Sequence, residues 1–335
     1  MQPLPASSSP TARRTVVILS DIHYGGAAEA SRGWRETEFI KSRVLRLAVR
    51  AHRRFIWMRD PFAHNDLLDR FCAEVSQADL VIANGDFSCD TAFVGVSDEA
   101  AFQSARECLG KLRQKFGERL LATIGDHELG KRSLFGGQGG MRLASWRRMT
   151  LDLGLQPFWR VRVGRYVLLG ITSSLVALPI YLPETFPEEQ SDWEVLRFEH
   201  VNQIREAVRD LQPTDRLILL CHDPTALPFL WRETPVRAKA DQIALTIVGH
   251  LHSKLLLWQS RWLSGMPIVS WLGYSIRRMS SALREARYWR PFRVQLCPAL
   301  AGIQLLKDGG YLRLSLSEDG VTPPEIRCHP LPWGD

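Results

Sequence analysis

The sequence predicts an α/β fold, and two observations carry this prediction. Six short apolar runs recur along the chain, and each is typical of a buried strand. Helical patterns lie between several of these runs, which is the alternation of an α/β protein. The 335 residues are 45% hydrophobic and 24% charged, a balance that excludes disordered, collagen-like and coiled-coil chains. We therefore expect one domain built on a mixed, mostly buried sheet.

The elements follow one another with little linker sequence between them. The predicted strands are 16–19, 80–83, 120–124, 166–171, 217–221 and 245–248, and the clearest helical patterns are 66–75, 98–115 and 195–211. Residues 1–14 are expected to form a flexible tail. Residues 321–335 contain four prolines and are expected to form a second, Pro-rich tail, so the predicted domain spans 15–320.

Side chains with metal-binding chemistry follow five of the predicted strands. In chain order they are Asp21 and His23, then Asp86, then Asp126 with His127 and Glu128, then His222, and finally His250 and His252. Ligands of α/β folds collect beyond the strand ends. The two-residue spacing of Asp21 and His23, and of His250 and His252, places each pair on one side of an extended chain. Imidazoles mixed with carboxylates suit Mn, Fe or Zn better than Ca.

The joint order of these five motifs resembles that of the calcineurin-like metallophosphoesterases, over about residues 15–253. The resemblance implies a four-layer α/β/β/α sandwich of two mixed sheets, with a dinuclear metal site at the strand ends. It also implies two sets of ligands that share one bridging carboxylate. These are Asp21, His23 and His252 for one metal ion, Asp126, His222 and His250 for the other, and Asp86 between them.

The same resemblance implies hydrolysis of a phosphoester or pyrophosphate by attack of a metal-bridging hydroxide. His127 would be the general acid, and Glu128 would orient it. Two divalent cations, with Mn favoured and Fe or Zn as alternatives, can lower the pKa of a shared water and neutralise the phosphate oxygens. The chemistry then needs no Ser, Cys or Lys nucleophile.

Asp126 departs from the family pattern, which usually has Asn at this position. Three ligand carboxylates instead of two lower the net charge of a two-cation site from +2 to +1. A dianionic monoester should then be attracted less strongly, which predicts a preference for a diester or an anhydride. The alternative is a degenerated site.

Two segments carry the basic character of the chain. The formal net charge is +7, and residues 31–60 contribute +6 while residues 275–293 contribute +5, so all other positions sum to −4. We interpret 31–60 as a basic cap-helix insertion that either packs on the core or contacts a membrane surface. Together with the basic and aromatic segment 275–293 it would suit a phosphorylated lipid, or a lipid-linked sugar nucleotide such as UDP-diacylglucosamine.

Two other functions use the same features differently. A nucleotide phosphodiesterase or nuclease would place the arginines on backbone phosphates. A non-catalytic scaffold would bind a partner through the basic segments, although a scaffold does not require a general acid at His127. The six cysteines are scattered, and no apolar stretch resembles a signal peptide or a membrane span. We therefore expect a cytoplasmic protein, with at most peripheral contact at the inner face of the membrane.

Overall fold

The computed structural model describes residues 12–33, 42–52, 55, 62–130, 140–251, 257–258, 262–269, 274–301, 309–331 and 333. Its strands are β1 (Arg13–Leu19), β2 (Leu80–Asn84), β3 (Leu120–Thr123), β4 (Phe158–Val163), β5 (Tyr166–Ile171), β6 (Arg216–Cys221), β7 (Ile243–Val248), β8 (Val294–Leu296), β9 (Gly310–Ser317) and β10 (Glu325–Pro330).

The α-helices are α1 (Ala27–Arg32), α2 (Arg43–His52), α3 (Asp66–Glu74), α4 (Glu99–Phe116), α5 (Asp126–Leu129), α6 (Leu143–Arg147), α7 (Ser173–Val176), α8 (Leu178–Tyr181), α9 (Gln190–Arg209), α10 (Leu227–Arg232), α11 (Thr234–Ala238) and α12 (Tyr274–Arg284). A π-helical segment, Arg148–Asp152, continues α6. Short 3₁₀ helices include Pro224–Ala226 and Ala286–Phe292.

The strands form two mixed five-stranded sheets. The first has the order β10-β9-β1-β2-β3, and the second has the order β4-β5-β6-β7-β8. In the first sheet β1, β2 and β3 are parallel, while β9 and β10 are antiparallel to their neighbours. In the second sheet only β4 is antiparallel to its neighbour. The prediction of two mixed sheets is confirmed.

Alternate side chains of β1 point to opposite faces of the sheet, and the core therefore consists of two buried clusters. Val16 and Ile18 of β1 belong to a buried cluster that also contains Trp159 and Leu168 of the second sheet, so this cluster lies between the two sheets. Val17 belongs to a second cluster, which includes apolar residues of α3, α4 and α9. Because both faces of the central strands are covered, their sequences are continuous apolar runs. The six predicted strands correspond to β1, β2, β3, β5, β6 and β7.

The expected C-terminal tail was wrong for residues 325–330. They form β10, which pairs antiparallel with β9 along its whole length, from Glu325 beside Ser315 to Pro330 beside Gly310. β10 is the edge of its sheet, where a proline is tolerated because one side of the strand has no ladder to complete. Likewise, residues 13 and 14 belong to β1 rather than to an N-terminal tail. Residues 1–11 lie outside the described part.

No helix in the described part of the chain is both long and apolar enough to cross a bilayer. All six cysteines are free thiols, and four of them are buried. The fold therefore depends on its two apolar clusters and not on disulfide bonds.

Candidate metal centre

The predicted site residues that the structure describes lie where β1, β2, β3, β6 and β7 end. Four of them adopt a left-handed backbone conformation that residues other than glycine rarely adopt: Asp21 (φ 52°), His23 (φ 48°), Asp86 (φ 59°) and His250 (φ 57°). Each such residue costs on the order of 1 kcal/mol or more, and it persists only where its surroundings fix it. Strain of this kind, in four residues at three strand ends, is typical of a functional site.

The surroundings that fix the Asp86 loop are supplied by Glu128. Its carboxylate accepts hydrogen bonds from the backbone N–H groups of Asp86 (2.9 Å), Phe87 (2.6 Å) and Gly125 (3.0 Å). Gly125 is needed at this crossing, because a Cβ atom there would lie 2.2 Å from Oδ1 of Asp86. The ends of β2 and β3 are therefore held together by a buried carboxylate and a glycine.

Four side chains converge as a first donor group: Asp86, Asp126, His222 and His250. Nε2 of His222 lies 3.1 Å from Oδ2 of Asp86 and 3.3 Å from Oδ1 of Asp126. Nδ1 of His250 lies 3.0 Å from the same Asp126 oxygen. A single cation between these atoms would be within reach of all four side chains.

Two of these donor atoms are buried without a hydrogen bond in the described structure, namely Oδ2 of Asp86 and Nε2 of His222. Nδ1 of His222 donates to the carbonyl oxygen of Asn84 at 2.6 Å, which leaves Nε2 as the atom that can bind a metal. Buried polar atoms normally have partners. A divalent cation would satisfy both atoms, so the residues present fit a metal ion.

A second donor group shares Asp86 with the first and adds His23 and His127. Nε2 of His23 lies 4.0 Å from Oδ2 of Asp86 and 4.0 Å from Oδ1 of Asp21. Asp21 is fully buried beside this group, and its two carboxylate oxygens accept the backbone N–H of His250. His252 lies outside the described residues.

The structure thus brings together the six predicted ligands that it describes, with Asp86 common to both groups. It differs from the prediction at His127, whose Nε2 lies 3.9 Å from Oδ2 of Asp86, as close as His23 does. Glu128, which was expected to orient His127, accepts hydrogen bonds from the backbone amides of Asp86 and Phe87 through its two carboxylate oxygens. Nδ1 of His127 instead donates to the carbonyl oxygen of Cys89, at 3.1 Å.

Burial and charge act against each other on the pKa values of the site. Burial opposes ionisation of Asp86, yet the neighbouring His222 and His127 outweigh it and lower the pKa of Asp86 below its ordinary value. Burial also opposes charging of His222, but the carboxylates of Asp86 and Asp21 raise its pKa well above the usual range. Burial raises the pKa of Asp21 to about 6 and that of Glu128 to about 8. The neighbouring imidazoles therefore offset the effect of burial and keep Asp86 an anion.

Several residues that position this site were not predicted from the sequence. His64 contacts the carbonyl oxygen of His23 through Nε2 at 2.9 Å. The hydroxyl group of Tyr181 donates to Asp223, the residue after His222, and the guanidinium of Arg278 lies 5.3 Å from the centroid of the Tyr181 ring. The Arg278 side chain is only 14% exposed. Only its position in a basic segment could have drawn attention to Arg278.

The stacked sheets and the two donor groups define the class of protein, an α/β/β/α fold with a candidate dinuclear metal centre. The model of the calcineurin-like phosphoesterase family matches residues 14–254, so the chain belongs to the calcineurin-like phosphoesterases, which are metal-dependent phosphoester hydrolases.

Two solved structures have weak similarity to this chain. Phosphopantetheinyl hydrolase from Mycobacterium tuberculosis is 16% identical, with 72% of this chain and 84% of that chain covered and a TM-score of 0.33. An uncharacterized protein from Streptococcus pneumoniae, described as a predicted phosphoesterase, is 11% identical, with 95% and 99% covered and a TM-score of 0.28. The comparison with curated proteins found no match. Assignment to the family therefore depends on the family model and the site.

Proposed function

We propose that this protein hydrolyses a phosphodiester or pyrophosphate at a dinuclear metal centre bridged by Asp86. The observation that carries the proposal is that Asp86 is common to both donor groups, with a buried carboxylate oxygen that has no hydrogen-bond partner in the described structure. A shared carboxylate is what keeps two cations close enough to act on one phosphate.

In this proposal one metal ion is held by Asp126, His222 and His250, and the other by Asp21, His23 and His252. Bound there, two divalent cations, for which we favour Mn, supply an activated water and positive charge against the phosphate oxygens. The protein's own contribution is the rigid placement of the ligands. Glu128 contributes to it indirectly, because it fixes the backbone around Asp86.

We assign proton donation to His127. The hydrogen bond from Nδ1 to Cys89 leaves Nε2 as the atom that faces the centre. A ring that is protonated on both nitrogens can keep the Cys89 hydrogen bond while it donates from Nε2 to the leaving oxygen. The His127 ring packs edge-on against His23, with 4.6 Å between centroids, which restricts its rotation.

Asp126 makes the proposal specific about the charge of the substrate. Its Oδ1 atom lies within 3.3 Å of both His222 and His250, so its negative charge is at the centre of the first group. We expect this charge to disfavour dianionic monoesters. In the Asp126→Asn variant, the ratio of diester to monoester activity should fall by about tenfold, since one unit of charge near the phosphate contributes about 1.4 kcal/mol or more.

The test compares p-nitrophenyl phosphate, bis-p-nitrophenyl phosphate and UDP-diacylglucosamine as substrates of the Mn-loaded protein, with metal content measured on the same samples. The proposal requires the diester to exceed the monoester in kcat/KM. Hydrolysis of none of the three by protein with two bound metal ions would contradict it. A ratio unchanged in Asp126→Asn would remove the role given to Asp126 and leave the hydrolase proposal intact.

We further propose that the substrate is lipid-linked and that the protein meets it at the cytoplasmic surface of a membrane. The supporting observation is on α2, where Val44 is 79% exposed and Leu47 is 70% exposed between basic residues. Trp258 and Trp262, which follow the last metal motif, are also largely exposed. Exposed apolar side chains next to arginines are typical of helices that bind an anionic bilayer surface.

Co-sedimentation with vesicles tests this membrane contact. Binding to vesicles of phosphatidylglycerol and phosphatidylcholine should exceed binding to pure phosphatidylcholine, and the triple variant Arg46→Gln/Leu47→Ser/Arg50→Gln should lose most of it. The control Arg209→Gln/Arg237→Gln removes two charges from other exposed positions. Equal binding by both variants would contradict a role for α2. Preferred binding to single-stranded nucleic acid with a steep salt dependence would favour the nuclease alternative.

A further inference from the structure

A cavity of about 450 Å³ lies among α8, α10 and α12, outside the two donor groups. This is a volume typical of sites for small organic ligands. Four arginines and two glutamates line it, which gives the lining a formal charge of +2. Its apolar lining residues are Pro179, Ile180, Pro228, Phe229, Ile268 and Ala282.

Two of the four arginines are already paired. Arg278 lies 3.8 Å from Glu184, and Arg232 lies 3.2 Å from Glu285.

The other two, Arg277 and Arg284, make no side-chain hydrogen bond or ion pair in the described part of the chain. They are seven residues apart on α12, two turns along one face, and Ser281 lines the cavity between them. The positive charge of the cavity is therefore concentrated on two guanidinium groups that form no ion pair with a carboxylate of the described residues.

The cavity is next to the metal centre. Thr225 lines it, and the backbone N–H of Thr225 donates to Asp223, the residue after His222, at 2.8 Å. Arg278 also lines the cavity and stacks on Tyr181, whose hydroxyl group donates to the same Asp223. Burial disfavours the charged form of Arg278, but Tyr181 and Glu184, followed by Asp126 and Asp223, raise its pKa. A ligand that fills the cavity is thus close to a phosphate at the metal ions.

We propose that this cavity binds a second, non-reacting phosphate of the substrate, through Arg277 and Arg284, with the adjoining organic part of the substrate against Phe229 and its apolar neighbours. The proposal deepens the hydrolase function and rests on it. A planar guanidinium group can bind two phosphate oxygens at once, which suits two arginines that lie on one helix face and have no ion pair among the described residues. The substrate class is then a diester or pyrophosphate with an additional phosphate beyond the bond that is cleaved.

Two chromogenic esters separate this cavity from the metal centre, because they differ by one phosphate: thymidine 5′-(p-nitrophenyl phosphate) and its 3′-phosphorylated counterpart. The Mn-loaded protein should hydrolyse the 3′-phosphorylated ester with at least about tenfold higher kcat/KM, mainly through a lower KM. Arg277→Gln/Arg284→Gln should abolish this preference and leave kcat/KM for the other ester unchanged. The matched control is Arg287→Gln/Arg290→Gln, which loses two exposed charges of the same basic segment and should keep the preference.

Calorimetric binding of thymidine 3′,5′-bisphosphate and of thymidine 5′-monophosphate to the Mn-loaded protein measures the same preference without turnover. Tighter binding of the bisphosphate that is lost only in Arg277→Gln/Arg284→Gln supports the proposal. Equal affinities, or an equal effect of the control variant, overturn it. Failure to hydrolyse either ester would count against the hydrolase function, while the binding result would still decide whether the cavity binds a second phosphate.

Discussion

The two donor groups around Asp86 differ in how closely their side chains converge. In the group of Asp126, His222 and His250, donor atoms lie 3.0 to 3.3 Å apart. In the group of His23 and His127, the distances to Asp86 and Asp21 are 3.9 to 4.0 Å. In our proposal the closer group holds its metal ion more tightly, while the wider group contains the histidine that donates a proton. Metal binding and proton transfer should therefore be separable by mutation.

The largest effect is expected where the two groups meet. Asp86→Asn removes the charge that both metal ions share, so both sites should lose affinity together and turnover should fall by far more than about a hundredfold, the upper range for outer-shell changes. Metal content by mass spectrometry and kcat on bis-p-nitrophenyl phosphate check this. Asp210→Asn makes the same chemical change at a surface ion pair with Arg160 and should alter neither quantity. Retention of two metal ions by Asp86→Asn would contradict a bridging role.

A smaller effect, on proton donation and not on metal binding, is expected at His127. Because Cys89 orients its ring and His127 is not one of the proposed metal ligands, His127→Asn should keep both metal ions and lower kcat by about a hundredfold or more. His250→Asn, in the closer group, should instead lower the metal content to about one ion per chain. If His127→Asn lost a metal ion as His250→Asn does, His127 would be a ligand and not the proton donor.

The smallest effect concerns a buried histidine outside both groups. His200 accepts the backbone N–H of Thr172 through Nε2, and burial lowers its pKa to about 3. The unfolded chain binds a proton near the ordinary pKa, so this histidine lowers the stability of the fold as the pH falls below about 6.5. Between pH 7 and 5 the wild type should lose about 2 kcal/mol of unfolding free energy relative to His200→Gln. Urea unfolding at the two pH values measures this, and parallel losses in both proteins would contradict it.

His200 and His222 also show what the sequence could and could not predict. Both are fully buried, but His222 follows a buried strand beside other strand-end motifs, and this position marked it as a ligand. The pattern was readable because strands covered on both faces are continuous apolar runs, and the ligands come directly after them. His200 lies within α9 and has no such context. Burial lowers the pKa of His200, whereas the carboxylates of Asp86 and Asp21 raise the pKa of His222.

The two basic segments show more clearly what could not be predicted from the sequence. In the sequence 31–60 and 275–293 are similar mixtures of arginine and apolar residues. In the structure Leu47 of α2 is exposed, while the side chain of Arg278 in α12 is only 14% exposed and packs on the ring of Tyr181. Which side of a helix faces the protein depends on tertiary packing, which composition does not encode. β10 was missed for a related reason, because its proline, Pro330, is compatible with a strand only at the edge of a sheet.

The most direct test of the dinuclear centre is the anomalous scattering of manganese in crystals of the loaded protein. We expect two peaks about 3.5 to 4 Å apart on either side of the Asp86 carboxylate, one among Asp126, His222 and His250 and the other beside His23 and Asp21. A single peak, or a second peak that Asp86 does not reach, would contradict this expectation.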